Sequence, residues 1–462
     1  MFTAPRIVAI DDNRSHLDAI VQAFQLLGTP CLGIHYNPEL SFDSEHFRGV
    51  RAVFTDLHLL QGTIGSDHKT HFTHLANMLE ENINRDGGPF VLILWTEYHE
   101  QVEALSTYLD QNLERDHARP LAVLGLPKRK YIDLTTGTAH RSEDLRDAVL
   151  TEIKSNPQLA ALMSWEEEAL RSLGGTLSAL LELIPTKQRG STVYSSALDL
   201  LLSRLAVETV GKPNVRVNKR SAITAALAPI LIDRMQHQPT TAETKEAWDN
   251  AVTLDQQKEL PQLTPSQAGL INRMLHIALP GTETIRPTDW GAVVELPAEW
   301  SDDDNMTTRF GAKLPTILGC DFKIKKADRA RCPMRLVRTG PICDYAQHRS
   351  GPIKFLLAVE VPTDIHRDEK RQQSEWSSPT LTRDPNAEPF QLVVNTRFLI
   401  TAPEVSATNW RVCYRMREQL LMHLINHDAN YGSRPGIVQM PQEQHRNTEP
   451  EATTSRGRGG PR

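Results

Sequence analysis

The stretch Arg51-Ala-Val-Phe-Thr-Asp-Leu-His-Leu59 decides how the chain is read. It is a short apolar run, Ala52 to Phe54, that ends on an acid, Asp56. In an open parallel α/β sheet, the carboxyl end of a buried strand is where ligands meet the protein. An aspartate at that point can hold a metal ion or act as a nucleophile. Whether it does depends on which groups arrive at the neighbouring strand ends.

Strands of the same kind flank it. Arg6-Ile-Val-Ala-Ile10 is a buried run followed by Asp11, Asp12 and Asn13, residues that cap helices. Leu17, Ile20, Val21, Phe24 and Leu27 then recur at helical spacing, and Gly28 stops the helix. Cys31 to Tyr36 reads as a second strand, and a short helix is expected around 41–47. Beyond Asp56 come a loop at 61–65 and a helix over 68–84. Phe90 to Trp95 is the most strand-like run of the chain. A long helix at 97–116, a fifth strand at 121–126 and a helix from Ser142 to about Lys154 complete the pattern. Strands alternating with helices predict a doubly wound, five-stranded parallel sheet over residues 1–154.

The period then changes twice. Residues 157–280 read as an α-helical region, with Pro185, Pro213, Pro239 and Pro265 near the breaks and no convincing strand. Residues 285–440 read as a mixed α+β domain. Its expected strands are 290–296, 334–338, 354–361 and 390–395, with helices at 302–312 and 410–426 and a loop at 366–389. The polar, Gly/Arg-rich tail at 441–462 is expected to be disordered.

Composition limits the function classes. At 462 residues, 39% apolar and 23% charged, the chain suits a soluble multidomain protein. A net charge of −6 makes no electrostatic case for nucleic acid or an anionic membrane. No apolar run reaches the ~18 residues of a membrane helix. Met1 to Arg6 runs into a strand without the shape of a signal peptide, and five sparse cysteines suggest a reducing cytoplasm. No glycine-rich phosphate loop, nucleophile elbow or zincin helix occurs.

In a sheet ordered 2-1-3-4-5, the first and third strands are neighbours at the switch point. Asp11, Asp12 and Asp56 then meet in one crevice, with Thr96 and Lys128 close by. Crowded carboxylates repel unless a cation joins them, and an all-oxygen site suits Mg²⁺. Asp56 would attack phosphorus to form an acyl phosphate. Lys128 would pair with the phosphoryl oxygens, and Thr96 would hydrogen-bond to one of them.

This constellation resembles the receiver domain of two-component response regulators over about residues 5–154. The matching stretches are Ile7-Val-Ala-Ile-Asp-Asp12, Val53-Phe-Thr-Asp-Leu-His-Leu59, Leu94-Trp-Thr96 and Leu126-Pro-Lys128. The resemblance implies Asp56 as phosphoacceptor, with Asp11 and Asp12 sharing Mg²⁺. It implies Thr96 as switch hydroxyl, Lys128 as active-site lysine and a sensor histidine kinase as donor. On that reading the chain is a phosphoacceptor rather than a turnover enzyme. The chain departs from the family in four places: Pro127 precedes the lysine, Leu60 replaces a usual proline, Glu97 follows Thr96, and Val123 to Gly125 lack the expected aromatic. The chain also resembles divergent receivers of bacterial conflict and phage-defence operons. That implies a phosphate sink or regulator, with an effector protein of the same operon as a partner. The sequence assigns no particular kinase and no oligomeric state.

Other readings are carried alongside. One is a pseudo-receiver that keeps the fold as a docking scaffold. Another is a thiol- or metal-dependent effector at Cys343 and Asp344, with His348 raising the thiolate fraction, or with Cys320, Cys332, Cys343 and His348 as ligands. Those spacings lack the close pair usual for zinc. A third is a DNA-binding regulator using the helix after Lys219 and Arg220. His68, His71 and His74 lie at helical spacing with His58 nearby, a pattern that suits either zinc or ordinary solvated imidazoles.

Overall fold

The computed structural model describes residues 5–434, apart from 27, 40–41, 61–67, 86, 138–139, 141, 186, 188–192, 254–259, 347–350 and 368–371. The loop expected at 61–65, His348 and the tail at 441–462 therefore lie outside the described residues. The chain forms two compact units, Met1–Leu198 with Leu227–Gln257, and Asp199–Ala226 with Lys258–Arg462. The helical stretch 157–280 contributes to both. Among the described residues no helix is long and apolar enough to cross a membrane.

The first unit holds a five-stranded sheet of β1 (Ile7–Asp11), β2 (Cys31–His35), β3 (Ala52–Thr55), β4 (Val91–Thr96) and β5 (Val123–Pro127). Its order is β2-β1-β3-β4-β5, with every neighbouring pair parallel, as expected. The strands are nearly continuous apolar runs because both faces are covered. Successive side chains point to opposite faces. Val8, Ile10, Val53, Leu92 and Leu94 pack on one side with Phe72 and Leu75 of α2 (Lys69–Asn82) and Leu105 and Leu109 of α3 (Val102–Asn112). Ala9, Phe54, Ile93 and Trp95 pack on the other with Leu17, Ile20 and Phe24 of α1 (Arg14–Leu26). Tyr131 of the short α4 (Lys128–Tyr131) and Val149 of α5 (Ser142–Lys154) belong to that same layer. The expected long helix at 97–116 is shorter, a 3₁₀ turn at His99–Gln101 leading into α3.

A 26-residue helix, α6 (Pro157–Glu182), is clamped to the base of this sheet. Arg6 and Arg51 precede β1 and β3, and both reach Glu166 of α6. Arg51 binds it with two donors, Nε and Nη2, each at 2.7 Å. Burial alone would raise the Glu166 carboxyl, but hydrogen bonds from Arg51 and then Arg6 outweigh it and pull the pKa down to about 2. Helix Ala242–Ala251 packs along α6, with Ser164 donating to Thr244 Oγ1 at 3.2 Å.

The second unit holds a seven-stranded sheet ordered β10-β11-β9-β8-β7-β12-β6. The strands are β6 (Ile277–Ala278), β7 (Ala292–Glu295), β8 (Met334–Thr339), β9 (Pro352–Pro362), β10 (Glu375–Ser377), β11 (Phe390–Pro403) and β12 (Val412–Met416). All neighbouring pairs are antiparallel. Three strands correct the sequence reading. β12 occupies the start of the expected helix at 410–426, because Val412, Tyr414 and Met416 alternate at the strand period and the helical period begins only in Glu418–Gly432. β10 lies in the expected loop at 366–389, and β6 ends the stretch read as wholly helical. Both are too short to show a period.

The Glu166 clamp sets a pH signature. A carboxyl whose folded pKa is lowered contributes stability above its unfolded pKa and loses it as pH falls through the folded one. With partial solvation discounted, Glu166→Gln should cost about 1–2 kcal/mol at neutral pH. That difference should fade as pH falls from 4.5 towards about 2 in denaturant melts of the two proteins.

Candidate functional site

Register brings the acids together. Ile10 pairs with Thr55 across β1 and β3, so the next side chains, Asp11 and Asp56, emerge at the same sheet edge. The Asp56 amide donates to Ile10 O at 3.2 Å. Asp11 Oδ1 accepts from the Asn13 amide at 2.8 Å, and Asn13 Oδ1 accepts from the Ser15 amide at 2.9 Å. These turns start α1 directly over the strand ends, which is why an Asp-Asp-Asn run follows β1. On the other side Thr96 of β4 pairs with Pro127 of β5, and Lys128 follows as the first residue of α4.

Lys128 ties the edge together. Its Nζ donates to Asp11 Oδ2 at 2.7 Å and to Asp56 Oδ2 at 2.6 Å. Placing the proline before the lysine therefore still delivers the ammonium to both acids. Burial alone would lower the Lys128 pKa, but the carboxylates of Asp56 and Asp11 hold it above its ordinary value. Asp11 is fully buried, and that burial raises its carboxyl despite the facing ammonium. Asp56 keeps 15% of its side chain exposed, against 0% for Asp11. It is thus the more open of the two acids that hold the lysine.

Asp11, Asp12 and Asp56 offer oxygens that all lie within 4.8 Å of one another. Among the described residues no other group of three or more such ligands lies as close together. Three carboxylates gathered in one place form an all-oxygen donor set, which fits a hard dication such as Mg²⁺. The first unit is thus receiver-like: a five-strand parallel sheet with an acidic cluster at its carboxyl edge.

A cavity of about 450 Å³ opens on this edge, lined by Asp12, Asp56, Thr96, Lys128, His16, His58, Glu97 and Tyr98 among others. Thr96 is buried, and its Oγ1 accepts from the Tyr98 amide at 3.4 Å. Glu97 is engaged by Arg129, accepting its amide at 2.9 Å and pairing with its guanidinium. The guanidinium of Arg129 beside Glu97 offsets the charge that this carboxylate adds to the edge. Sequence reading missed His16, whose Nδ1 lies 3.4 Å from Lys128 Nζ and whose Nε2 lies 3.2 Å from Leu134 O. Its place in the first turn of α1, just after the Asp-Asp-Asn run, was the available signal.

The remaining candidates fall elsewhere. Cys332 is buried, and burial pushes its thiol up to about 11. Cys320 and Cys343 are exposed, and Cys343 Sγ lies 3.9 Å from Asp344 Oδ1. Lys219 and Arg220 open the helix Lys219–Gln236 and are exposed. His74 turns away from the acids and shares a 2.8 Å hydrogen bond with Tyr36 Oη. His58 lies beside the acids, against His68 and His71. Burial lowers the pKa of both His58 and His71, with neighbouring imidazoles acting in the same direction.

No protein-family model, curated protein or solved structure matches this chain.

Removing the bridging ammonium should leave the carboxylates facing one another. In Mg²⁺-free buffer at neutral pH, Lys128→Ala should lose about 3–5 kcal/mol in denaturant unfolding, the usual cost of breaking a buried ion pair. The deficit should shrink as pH falls and the carboxyls protonate. Added Mg²⁺ should recover part of it, because a ligand that binds only the folded state stabilises it.

Proposed function

We propose that the N-terminal unit is a receiver domain that accepts a phosphoryl group on Asp56 from the phosphohistidine of a sensor kinase. The observation that carries this reading is the Lys128 ammonium held between Asp11 and Asp56 beside a third carboxylate and a buried threonine hydroxyl. That set combines a nucleophile, donors for the transferred group and oxygens for a cation at one open edge.

The chemistry follows from these groups. The Asp56 carboxylate attacks phosphorus, an O–P bond forms, and the P–N bond to the donor imidazole breaks. The departing imidazole takes up a proton. Lys128 pairs with a phosphoryl oxygen as it leaves Asp56, and the Thr96 hydroxyl donates to another. A Mg²⁺ ion held by Asp11, Asp12 and Asp56 would offset charge on the phosphoryl oxygens. Asp11 stays buried and positions both the lysine and the cation.

A phosphate sink or regulator in a defence operon is the version that we favour over a switch driving a fused output. The supporting observation is β5, where Val123, Leu124 and Gly125 provide no aromatic side chain to rotate in response to Thr96. Phosphate would then be held with little conformational readout.

Incubation with labelled acetyl phosphate or a phosphorylated kinase, with Mg²⁺, should label the wild type through a bond that hydroxylamine cleaves. Asp56→Asn should remove the label, and EDTA should reduce it strongly. A wild type that takes no label, or a label that persists in Asp56→Asn, would overturn the reading.

A further inference from the structure

The acid cluster has a nitrogen-rich neighbour that phosphoryl transfer does not use. His58 lies in the loop leaving β3, two residues past Asp56, and its amide donates to Asp56 Oδ1 at 3.4 Å. His68 stands at the N-cap of α2, yet its side chain makes no capping hydrogen bond. The two side chains meet across ten positions of sequence, with His58 Nε2 3.1 Å from His68 Nδ1. Their rings are nearly parallel, at 7° with centroids 5.2 Å apart. His71, one turn along α2, packs on His58 at 4.2 Å, and Tyr98 packs on it at 4.3 Å. The His58 ring is therefore held in place by aromatic neighbours.

We propose that His58 and His68 form a two-imidazole site for a transition-metal dication, beside and distinct from the oxygen site at Asp11, Asp12 and Asp56. In the structure the two ring nitrogens share a hydrogen bond, and a cation would take the place of that hydrogen. With Zn–N bonds of about 2.1 Å, a 3.1 Å bite closes at about 95°, within reach of tetrahedral or octahedral coordination. Binding requires each imidazole to present a bare nitrogen towards the ion and to carry its hydrogen on the other one. Nitrogen donors favour Zn²⁺, Ni²⁺ and Cu²⁺, while the carboxylate set favours Mg²⁺. The two sites therefore select different ions. His58 also lines the cavity that opens over Asp56.

The site is tested on the full chain by titrating Zn²⁺ in excess Mg²⁺, which keeps the oxygen site filled. Wild type should take up one equivalent that His58→Ala and His68→Ala each weaken by about tenfold or more, at least about 1.4 kcal/mol. His68→Gln serves as a second variant of similar size should His68→Ala unfold. With Cu²⁺, electron paramagnetic resonance should show two coupled imidazole nitrogens in wild type and one fewer in each alanine variant. Zn²⁺ affinity unchanged in the His58 and His68 variants would overturn the proposal, as would a copper spectrum that they do not alter. Asp56→Asn should keep the Zn²⁺ site, so this inference and the phosphoryl reading can fail separately.

Discussion

The receiver-like edge depends on one interaction, the Lys128 ammonium bridging two carboxylates at 2.6 and 2.7 Å. Each partner comes from a different strand end: Asp11 closes β1, Asp56 follows β3 and Lys128 follows β5. The bridge therefore exists only when β1, β3, β4 and β5 are parallel, in the observed order and in register. A slip of one residue would turn each side chain to the other face of the sheet. The same ammonium bridges two of the three clustered carboxylates, Asp11 and Asp56.

The second unit makes an instructive contrast. Glu360 of β9 is also buried, but it is held between Arg335 of β8 and Arg383. One carboxylate there has two cationic partners, and it lies inside the sheet domain. Both guanidinium groups reach Glu360 Oε2, so the buried charge is countered, while Oε1 accepts no hydrogen bond. At the N-terminal edge one ammonium is shared by two carboxylates, and Asp56 stays partly open. Carboxylates gathered at an opening are the condition under which a cation has reason to bind, and the proposed chemistry is placed in the first unit on that ground.

Much of this was legible in the sequence because it is local. Each strand of the first unit is an apolar run with a distinctive residue at its end, so strand order alone brings Asp11, Asp56, Thr96 and Lys128 to one edge. What escaped reading was either short or distant. β10 and β6 are too brief to carry a period, and β12 was absorbed into the helix that follows it because only Arg417 separates the two and no glycine or proline marks the break. The histidines were visible as 68, 71 and 74 on a helix. Helical spacing cannot show that His74 turns to Tyr36 while His58 returns from another loop to meet His68. The role of Arg129 beside Glu97 likewise depends on β4 and β5 being neighbours.

The central claim is that Asp56 is the acid that takes the phosphoryl group, although Asp11 and Asp12 stand beside it. Borohydride reduces an aspartyl phosphate to homoserine, so mass mapping of the phosphorylated, reduced chain reads the acceptor directly. The account predicts homoserine at position 56 alone. Homoserine at position 11 or 12, or at no position in a chain that carries phosphate, would contradict it.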